Sequence, residues 1–342
     1  MKKQKSVLSL ILILLLVLFS AGCSSGSAPT TGTENTQQNT QPAASDSGNQ
    51  PAEKTVRIGI IQIVEHPALD AAREGFLETL KANGLEPGKN LIVDYQNAQN
   101  DQSILNNIAQ KFASSNYDLV LAIATPSAQA MAAATSEIPI LITAVTDPVA
   151  AKLVNSMEKP GTNVTGTTDM NPIDEQFDLL LKLVPNAKNV GVIYNAGEIN
   201  SQVQVDIAKE IAAERGLKIV EAVVSNSSEV LQATQSLDGK VDVIYVPTDN
   251  TVVSAADSVV QAANKMKIPI ISGESSVVDA GGLGTVGINY KNLGAQTGEM
   301  ALRVLAGEKP QDMPIESQKD FDIVINKEAA AALGIQIPAD LQ

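Results

Sequence analysis

The sequence predicts an α/β protein built as two similar, doubly wound parallel-sheet lobes, on three observations. From Val56 onward short β-branched runs alternate with longer amphipathic stretches, the pattern of βαβ units feeding a parallel sheet. Four short motifs recur in the same order in the two halves of that region. The length, 342 residues, suits two domains of roughly 150 residues each.

In chain order, the first segment is not part of either lobe. Met1–Lys5 carries three lysines, and residues 7–19 form an apolar run broken only by Ser9. That run is short for a transmembrane helix and the right size for a signal-peptide core. Ser20, Ala21, Gly22 and Cys23 follow; they resemble a bacterial lipobox, with Ser20 standing where Leu is usual. The resemblance implies cleavage before Cys23 and lipid attachment to its thiol. Residues 1–22 are therefore expected to be a lipoprotein signal peptide. Residues 23–54 are rich in Ser, Thr, Gly, Gln, Asn and Pro, with almost nothing large and apolar. Such a segment cannot bury enough surface to offset chain entropy and reads as a disordered tether.

In the first half the strand candidates are 56–63, 91–95, 119–124 and 138–144, with helical patterns near 67–83, 102–115 and 126–135 between them. In the second half the strands are 189–194, 217–224, 241–246 and 268–272, with helices near 200–215, 228–237 and 251–267. The halves look like copies. Arg57-Ile58-Gly59-Ile60 matches Asn189-Val190-Gly191-Val192, and Gly84-Leu85 matches Gly216-Leu217. Tyr117-Asp118-Leu119-Val120 matches Val241-Asp242-Val243-Ile244, and Ile138-Pro139-Ile140 matches Ile268-Pro269-Ile270. A further strand at 285–290, a helix at 291–305, a strand at 321–326 and an Ala-rich helix at 327–333 complete the pattern. The chain is expected to cross between lobes about three times, near 164–168, 281–285 and 307–310, where Gly and Pro interrupt it. Lobe one is then 55–165 with 284–308, and lobe two 166–283 with 309–342, hinged around a cleft.

Composition excludes several function classes. One Cys rules out an intramolecular disulfide, and with one His it rules out a zinc cluster of His and Cys ligands. A net charge of −14, falling to −17 once Lys2, Lys3 and Lys5 leave with the signal, repels phosphate backbones, so no nucleic-acid partner is expected. The same charge argues against adhesion to an anionic membrane by the protein surface, leaving the lipid as the only anchor. Gly282-Leu283-Gly284-Thr285-Val286-Gly287 fits G-x-G-x-x-G but precedes a strand instead of opening a helix. No phosphate-binding or serine-hydrolase signature occurs, and no catalytic residue, cofactor or metal is expected. His66 reads as a polar contact or cap more readily than as a general base.

Ligands of open parallel sheets bind beyond the carboxyl ends of the strands. That rule selects Gln62 to His66, Thr125-Pro126-Ser127 and residues 144–147 in lobe one, and residues 195–201, 248–250 and 273–274 in lobe two. These loops are rich in hydroxyls, amides and carboxylates, which suits a small zwitterion. Thr125 and Ser127 open a helix whose free amides and dipole favour a carboxylate, although Thr125 can equally be a plain cap. Thr146 can add a hydroxyl; Asp147 reads first as an N-cap. For an ammonium group the leading partner is Asp249, which can also be a cap, followed by Glu198 and Glu274. Asn200 or Ser201 caps the next helix.

The combination Gly59-Ile60-Ile61-Gln62-Ile63-Val64-Glu65-His66-Pro67-Ala68-Leu69-Asp70, Ala124-Thr125-Pro126-Ser127-Ala128-Gln129, Ala144-Val145-Thr146-Asp147-Pro148-Val149, Pro247-Thr248-Asp249-Asn250 and Gly287-Ile288-Asn289-Tyr290 resembles one family. It is similar to the tryptophan/tyrosine-type substrate-binding lipoproteins of ABC transporters, over essentially residues 56–342. The resemblance implies a type I periplasmic-binding-protein fold, a monomer on the outer face of the membrane that captures an amino acid, aromatic in the family's pattern, and passes it to a permease. It also implies that Thr125, Ser127 and Thr146 meet the α-carboxylate and Asp249 the α-ammonium. With no Trp to stack on a ligand ring, Tyr290 and Tyr194 are the aromatic candidates. A ligand-sensing domain that signals to a membrane receptor, or a binder of a different small polar solute, is the alternative.

Overall fold

The computed structural model describes residues 55–341; the expected signal peptide, Cys23 and the tether lie outside the described residues. The chain runs through β1 (Val56–Gln62), α1 (Pro67–Ala82), β2 (Leu91–Asn97), α2 (Gln102–Ala113), β3 (Leu119–Ile123), α3 (Thr125–Ala134), β4 (Ile140–Val145) and β5 (Val164–Thr168). It continues through α4 (Ile173–Leu183), β6 (Asn189–Asn195), α5 (Ile199–Glu214), β7 (Lys218–Val224), α6 (Val230–Gln235), β8 (Val243–Val246), α7 (Asn250–Val253), α8 (Ala256–Met266), β9 (Ile270–Ser272) and α9 (Ser275–Asp279). The last elements are β10 (Gly284–Gly287), α10 (Tyr290–Leu305), β11 (Glu316–Ser317), β12 (Asp322–Ile325) and α11 (Lys327–Leu333).

Two six-stranded sheets result, ordered β11-β5-β4-β3-β1-β2 and β12-β10-β9-β8-β6-β7. Every ladder is parallel except β10 with β12. The central order of one sheet repeats that of the other, as the duplicated motifs require, and the motifs have the same physical job in each copy. Asp118 accepts from the Arg57 amide at 2.8 Å, and Asp242 accepts from the Lys188 and Asn189 amides at 2.8 Å, so each carboxylate braces the entry of its lobe's first strand. A Cβ at Gly59 would lie 2.8 Å from the Phe112 ring, and one at Gly191 would lie 2.7 Å from Leu237, so each glycine lets a helix-side apolar group reach the sheet. In lobe one Ile58, Ile60, Phe76, Phe112 and Leu121 pack the core; in lobe two Phe177, Val192 and Tyr245 fill one face of the sheet and Ile193, Ile244 and Val259 the other.

The crossings are three, but they fall elsewhere than the Gly and Pro signals suggested. Residues 164–168 are not a crossing: they form β5, fully buried between β4 and β11. Residues 284–287, assigned by sequence to lobe one, form β10 of lobe two, paired with β9 and β12. Residues 316–317, assigned to lobe two, form β11 of lobe one. The chain therefore changes lobe near 169–172, 288–289 and 318–321. A short strand buried on both faces carries no periodicity that says which sheet it joins, so its sequence leaves that choice to packing. The helix expected over 251–267 breaks at Ser254 and Ala255 into α7 and α8. β5 and α4 were not anticipated as elements.

Helix α10 returns to lobe one by close packing on α1. A Cβ at Gly294 would lie 1.8 Å from the Ala72 carbonyl, and one at Gly75 would lie 2.0 Å from the Lys291 carbonyl, so only glycine permits the two backbones to approach. Among the described residues no helix is long and apolar enough to cross a membrane.

Candidate functional site

The carboxyl ends of both sheets face one cleft, and the side chains there meet in a nearly closed cavity of about 20 Å³. Lobe one contributes His66 after β1, Ala144 and Thr146 at the end of β4, and Asp169 after β5. Lobe two contributes Asn200 after β6, Thr248, Asp249 and Asn250 after β8, and Glu274 after β9; Tyr290 comes from the start of α10. That is far too small for a small-molecule ligand, so the cavity holds one only if the lobes part. Across the cleft Asn100 Nδ2 donates to Thr251 Oγ1 at 3.3 Å.

The distribution of unmet hydrogen bonds sets this cavity apart. The buried side-chain atoms without a partner, among the described residues, are His66 Nδ1, Thr125 Oγ1, Ser127 Oγ, Asp169 Oδ1, Asn200 Oδ1, Thr248 Oγ1 and Glu274 Oε1. Five of those seven residues line the cavity, and the other two form the first turn of α3. Each such atom costs about 1–3 kcal/mol when it stays unpaired, so their concentration at one place is the mark of a ligand site.

The start of α3 is built to leave donors free. Ala124 precedes it with φ 75° and ψ 155°, a conformation that strains a residue with a Cβ, and no side chain caps the helix. Pro126 has no N–H, so the Thr125 and Ser127 amides and hydroxyls, all buried, remain at the positive end of the helix dipole. The capping alternative for Thr125 does not hold: it is the first residue of the helix, and its hydroxyl bonds nothing.

The acidic groups divide into satisfied and unsatisfied sets. Asp249 caps α7 through Val252 N (2.8 Å) and also accepts from Asn195 N and Ser201 Oγ (2.6 Å each). Glu198 accepts from the Thr251 amide and hydroxyl, the Asn250 amide and side chain, and Asn200 Nδ2. Burial and the neighbouring Glu198 charge push Asp249 up to about 7. These two carboxylates knit α5 to α7 and have their oxygens committed to protein donors.

Asp169 and Glu274 are different. Asp169 accepts from Tyr290 Oη at 2.7 Å through one oxygen, with the Thr146 hydroxyl also close enough to favour its ionised form, and Glu274 accepts from the Ser276 amide (2.9 Å) and hydroxyl through one oxygen, with the Val277 amide close by. Each leaves its second oxygen buried and bare in the cavity. Burial raises the carboxyl pKa of both, and it also drives the Tyr290 phenol well above its ordinary value. The cavity wall includes no Lys or Arg, so its electrostatic demand is for a cation.

The remaining sequence candidates scatter. Gln62 is tied within lobe one, donating to Val64 O and Asp70 and accepting from Arg73 at 2.7 Å, and it does not line the cavity. Asp147 accepts from the Val149 and Ala150 amides at 2.9 Å, but it closes a turn over 148–152 and caps no helix. Thr146 lines the cavity. Asn200 spends its amide on Glu198, Ser201 and Thr248 O and keeps Oδ1 free. Tyr194 donates to Glu221 at 2.6 Å, away from the cavity. Sequence reasoning missed Asp169 and underweighted His66. The signal for Asp169 was Thr-Asp at the end of a strand, hidden because that strand was read as a crossing. A second, wider groove at the outer end of the cleft is lined by Ile63, Gln129, Asn195 and Ser225, but the polar side chains of Asn195 and Glu198 there already bond to protein.

Residues 57–342 match the family model described as ABC transporter substrate binding protein. The chain belongs to that family. Its two lobes have the type I periplasmic-binding-protein architecture. A tyrosine-binding protein of Clostridioides difficile (strain R20291) is 45% identical over 337 residues, covering 98% of this chain and 94% of its own. A solved ABC domain from Streptococcus pneumonia in complex with L-Trp is 38% identical and superposes with a TM-score of 0.82, covering 84% of this chain and 97% of its own. The ligand-free, open structure of a Clostridium difficile substrate-binding protein covers the same shares at 52% identity, yet its TM-score is 0.65. Overlay thus runs opposite to sequence identity. This substrate-binding protein superposes better on the L-Trp complex than on the ligand-free, open structure, and the Asn100–Thr251 bond joins the two sides of its cleft.

Proposed function

We propose that this substrate-binding protein captures an α-amino acid in the cavity between its lobes, an aromatic one such as tyrosine or tryptophan, and delivers it to a membrane permease without chemical change. The observation that carries the reading is the pair of bare, buried carboxylate oxygens of Asp169 and Glu274, with the uncapped α3 start on the same cleft. In the proposed pose the α-ammonium lies between Asp169 and Glu274, and the α-carboxylate takes the Thr125 and Ser127 amides and hydroxyls. This moves the ammonium role from Asp249 to two acids whose oxygens are available. The tyrosine-binding relative and the L-Trp complex support the ligand class. Because Asp169 and Thr125 belong to lobe one and Glu274 to lobe two, a bound amino acid bridges the lobes and favours closure through contacts that the open form lacks.

In the same reading residues 1–22 are removed, Cys23 carries the lipid, and 23–54 tether the lobes to the outer face of the membrane. Calorimetry of the mature protein against the amino acids, their decarboxylated amines and their deaminated acids tests the pose. The zwitterions should bind, and both truncated series should bind at least about 100-fold more weakly, since each strands a set of buried groups. Equal binding of an amine and its parent amino acid would remove the α3 start from the site.

A further inference from the structure

We infer that Tyr290 is a positioning residue of the site: its phenol fixes Asp169 in the orientation that turns one carboxylate oxygen to the ligand's ammonium. The inference rests on the amino-acid reading above and adds the residue through which one of its acids works.

Asp169 differs from the other cleft acids in what holds it. Asp249 caps α7 through Val252 N, and Glu274 caps α9 through Ser276 N, so each is oriented by an amide of the helix that follows it. Asp169 opens no helix, because α4 begins at Ile173 behind Pro172. Its short bond comes instead from another crossing, from Tyr290 Oη to Asp169 Oδ2 at 2.7 Å, with the Thr146 hydroxyl of β4's end nearby. A phenol donating to a carboxylate is a charge-assisted bond, among the stronger kinds. Having given its one proton to Asp169, the hydroxyl has none left to give a ligand.

The two main chains that carry this pair are registered to one another. Asn171 spans the first and second crossings, donating Nδ2 to Asp169 O at 3.0 Å and accepting from Ile288 N at 3.1 Å. The third crossing holds the second from its other side: Gln318 accepts from Asn289 N at 3.2 Å and donates to Asn289 O at 2.9 Å. Asn289 also caps α10 through Asn292 N at 3.1 Å, which fixes the turn on which Tyr290 sits. The Asp169 amide donates to Val145 O at 3.2 Å. With both backbones held, rotation of the carboxylate is the freedom left at Asp169, and the phenol removes it. One oxygen is taken by Tyr290 and the other stays bare in the cavity. An acid already oriented spares the ligand the cost of orienting it.

Tyr290→Phe deletes the hydroxyl and keeps the ring in its packing, so the variant keeps the fold. Calorimetry should compare it with the wild type, using tyrosine, tryptophan and their deaminated acids, the 3-arylpropionates. The better-bound amino acid should lose about 10-fold in affinity, whereas its deaminated acid, with no ammonium to meet Asp169, should stay within about twofold. In an Asp169→Asn background the same substitution should cost the amino acid less than about threefold more, because no charge remains to be positioned. Equal weakening of amino acid and deaminated acid would assign the phenol a packing role only. A full 10-fold loss repeated in Asp169→Asn would assign it a direct ligand contact. Either result, or wild-type affinity in Tyr290→Phe, overturns the inference and leaves the amino-acid reading intact. Wild-type protein that binds no amino acid, or binds the deaminated acid equally well, overturns both.

Discussion

Replacing Asp169 by Asn should move ligand affinity and ligand-free stability in opposite directions. The side chain is 3% exposed, accepts from Tyr290 at 2.7 Å with the Thr146 hydroxyl nearby, and has no cation within its cavity wall. In the ligand-free protein the carboxylate charge is therefore buried without compensation, and Asn keeps both the shape and an acceptor for Tyr290. Stability should stay level or rise by about 1 kcal/mol, about 2–4 °C in melting temperature for a domain of this size. Ligand binding loses a desolvated charge pair, which costs about 2–4 kcal/mol, or roughly 30- to 1,000-fold in Kd. Asp249→Asn is the matched control, because its amide would face the Val252, Asn195 and Ser201 donors that the carboxylate accepts. It should lower the melting temperature, by the equivalent of about 2–3 kcal/mol, before it touches the ligand. Differential scanning fluorimetry and calorimetry on both variants read the two quantities. Wild-type affinity in Asp169→Asn, together with lost binding and an unchanged melt in Asp249→Asn, would return the ammonium to Asp249 and refute the argument from bare oxygens.

Other consequences are equally direct. Burial raises Asp169 and Glu274, so their protonated fraction in the ligand-free protein persists to higher pH than for ordinary carboxyls, and an ammonium needs them ionised. Affinity should therefore climb as pH rises through those raised values, with protons released on binding at pH values below them, seen as a calorimetric heat that scales with buffer ionisation enthalpy. A heat independent of the buffer would count against both acids. Gly294→Ala should destabilise lobe one by about 3 kcal/mol in thermal or urea unfolding, because its Cβ would sit 1.8 Å from the Ala72 carbonyl oxygen. Cys23→Ser should release the protein from the membrane fraction and abolish incorporation of a radiolabelled fatty acid; continued incorporation would exclude that thiol as the anchor.

Much of the fold was legible because its signals are local and repeated. Gly59 and Gly191, and Asp118 and Asp242, announce the duplication, and each pair does the same packing or bracing job in its lobe. The strand-end rule also brought out Thr125, Ser127, Thr146, Asn200 and Glu274, because their places depend only on where a strand stops. What failed was whatever depends on a strand's neighbours. Val164–Thr168 looked like a Gly-Thr crossing, and Gly284–Gly287 was given to the wrong lobe, since a strand buried on both faces has no periodicity to choose its sheet.

By itself, then, the sequence determined the class: two α/β lobes, an acidic body whose amino-terminal segment resembles a lipoprotein signal, and a cleft of hydroxyls, amides and acids suited to a zwitterion. Only the tertiary structure decided which acids are free to bind. Asp249, Glu198, Asp169 and Glu274 are alike as letters at strand ends. They differ in whether helix amides and hydroxyls from distant segments already occupy their oxygens, as Asn195, Ser201 and Thr251 do for the first two. That allocation of donors is set when the lobes pack, because a carboxylate's partners are fixed by spatial neighbours and not by residues adjacent in the chain.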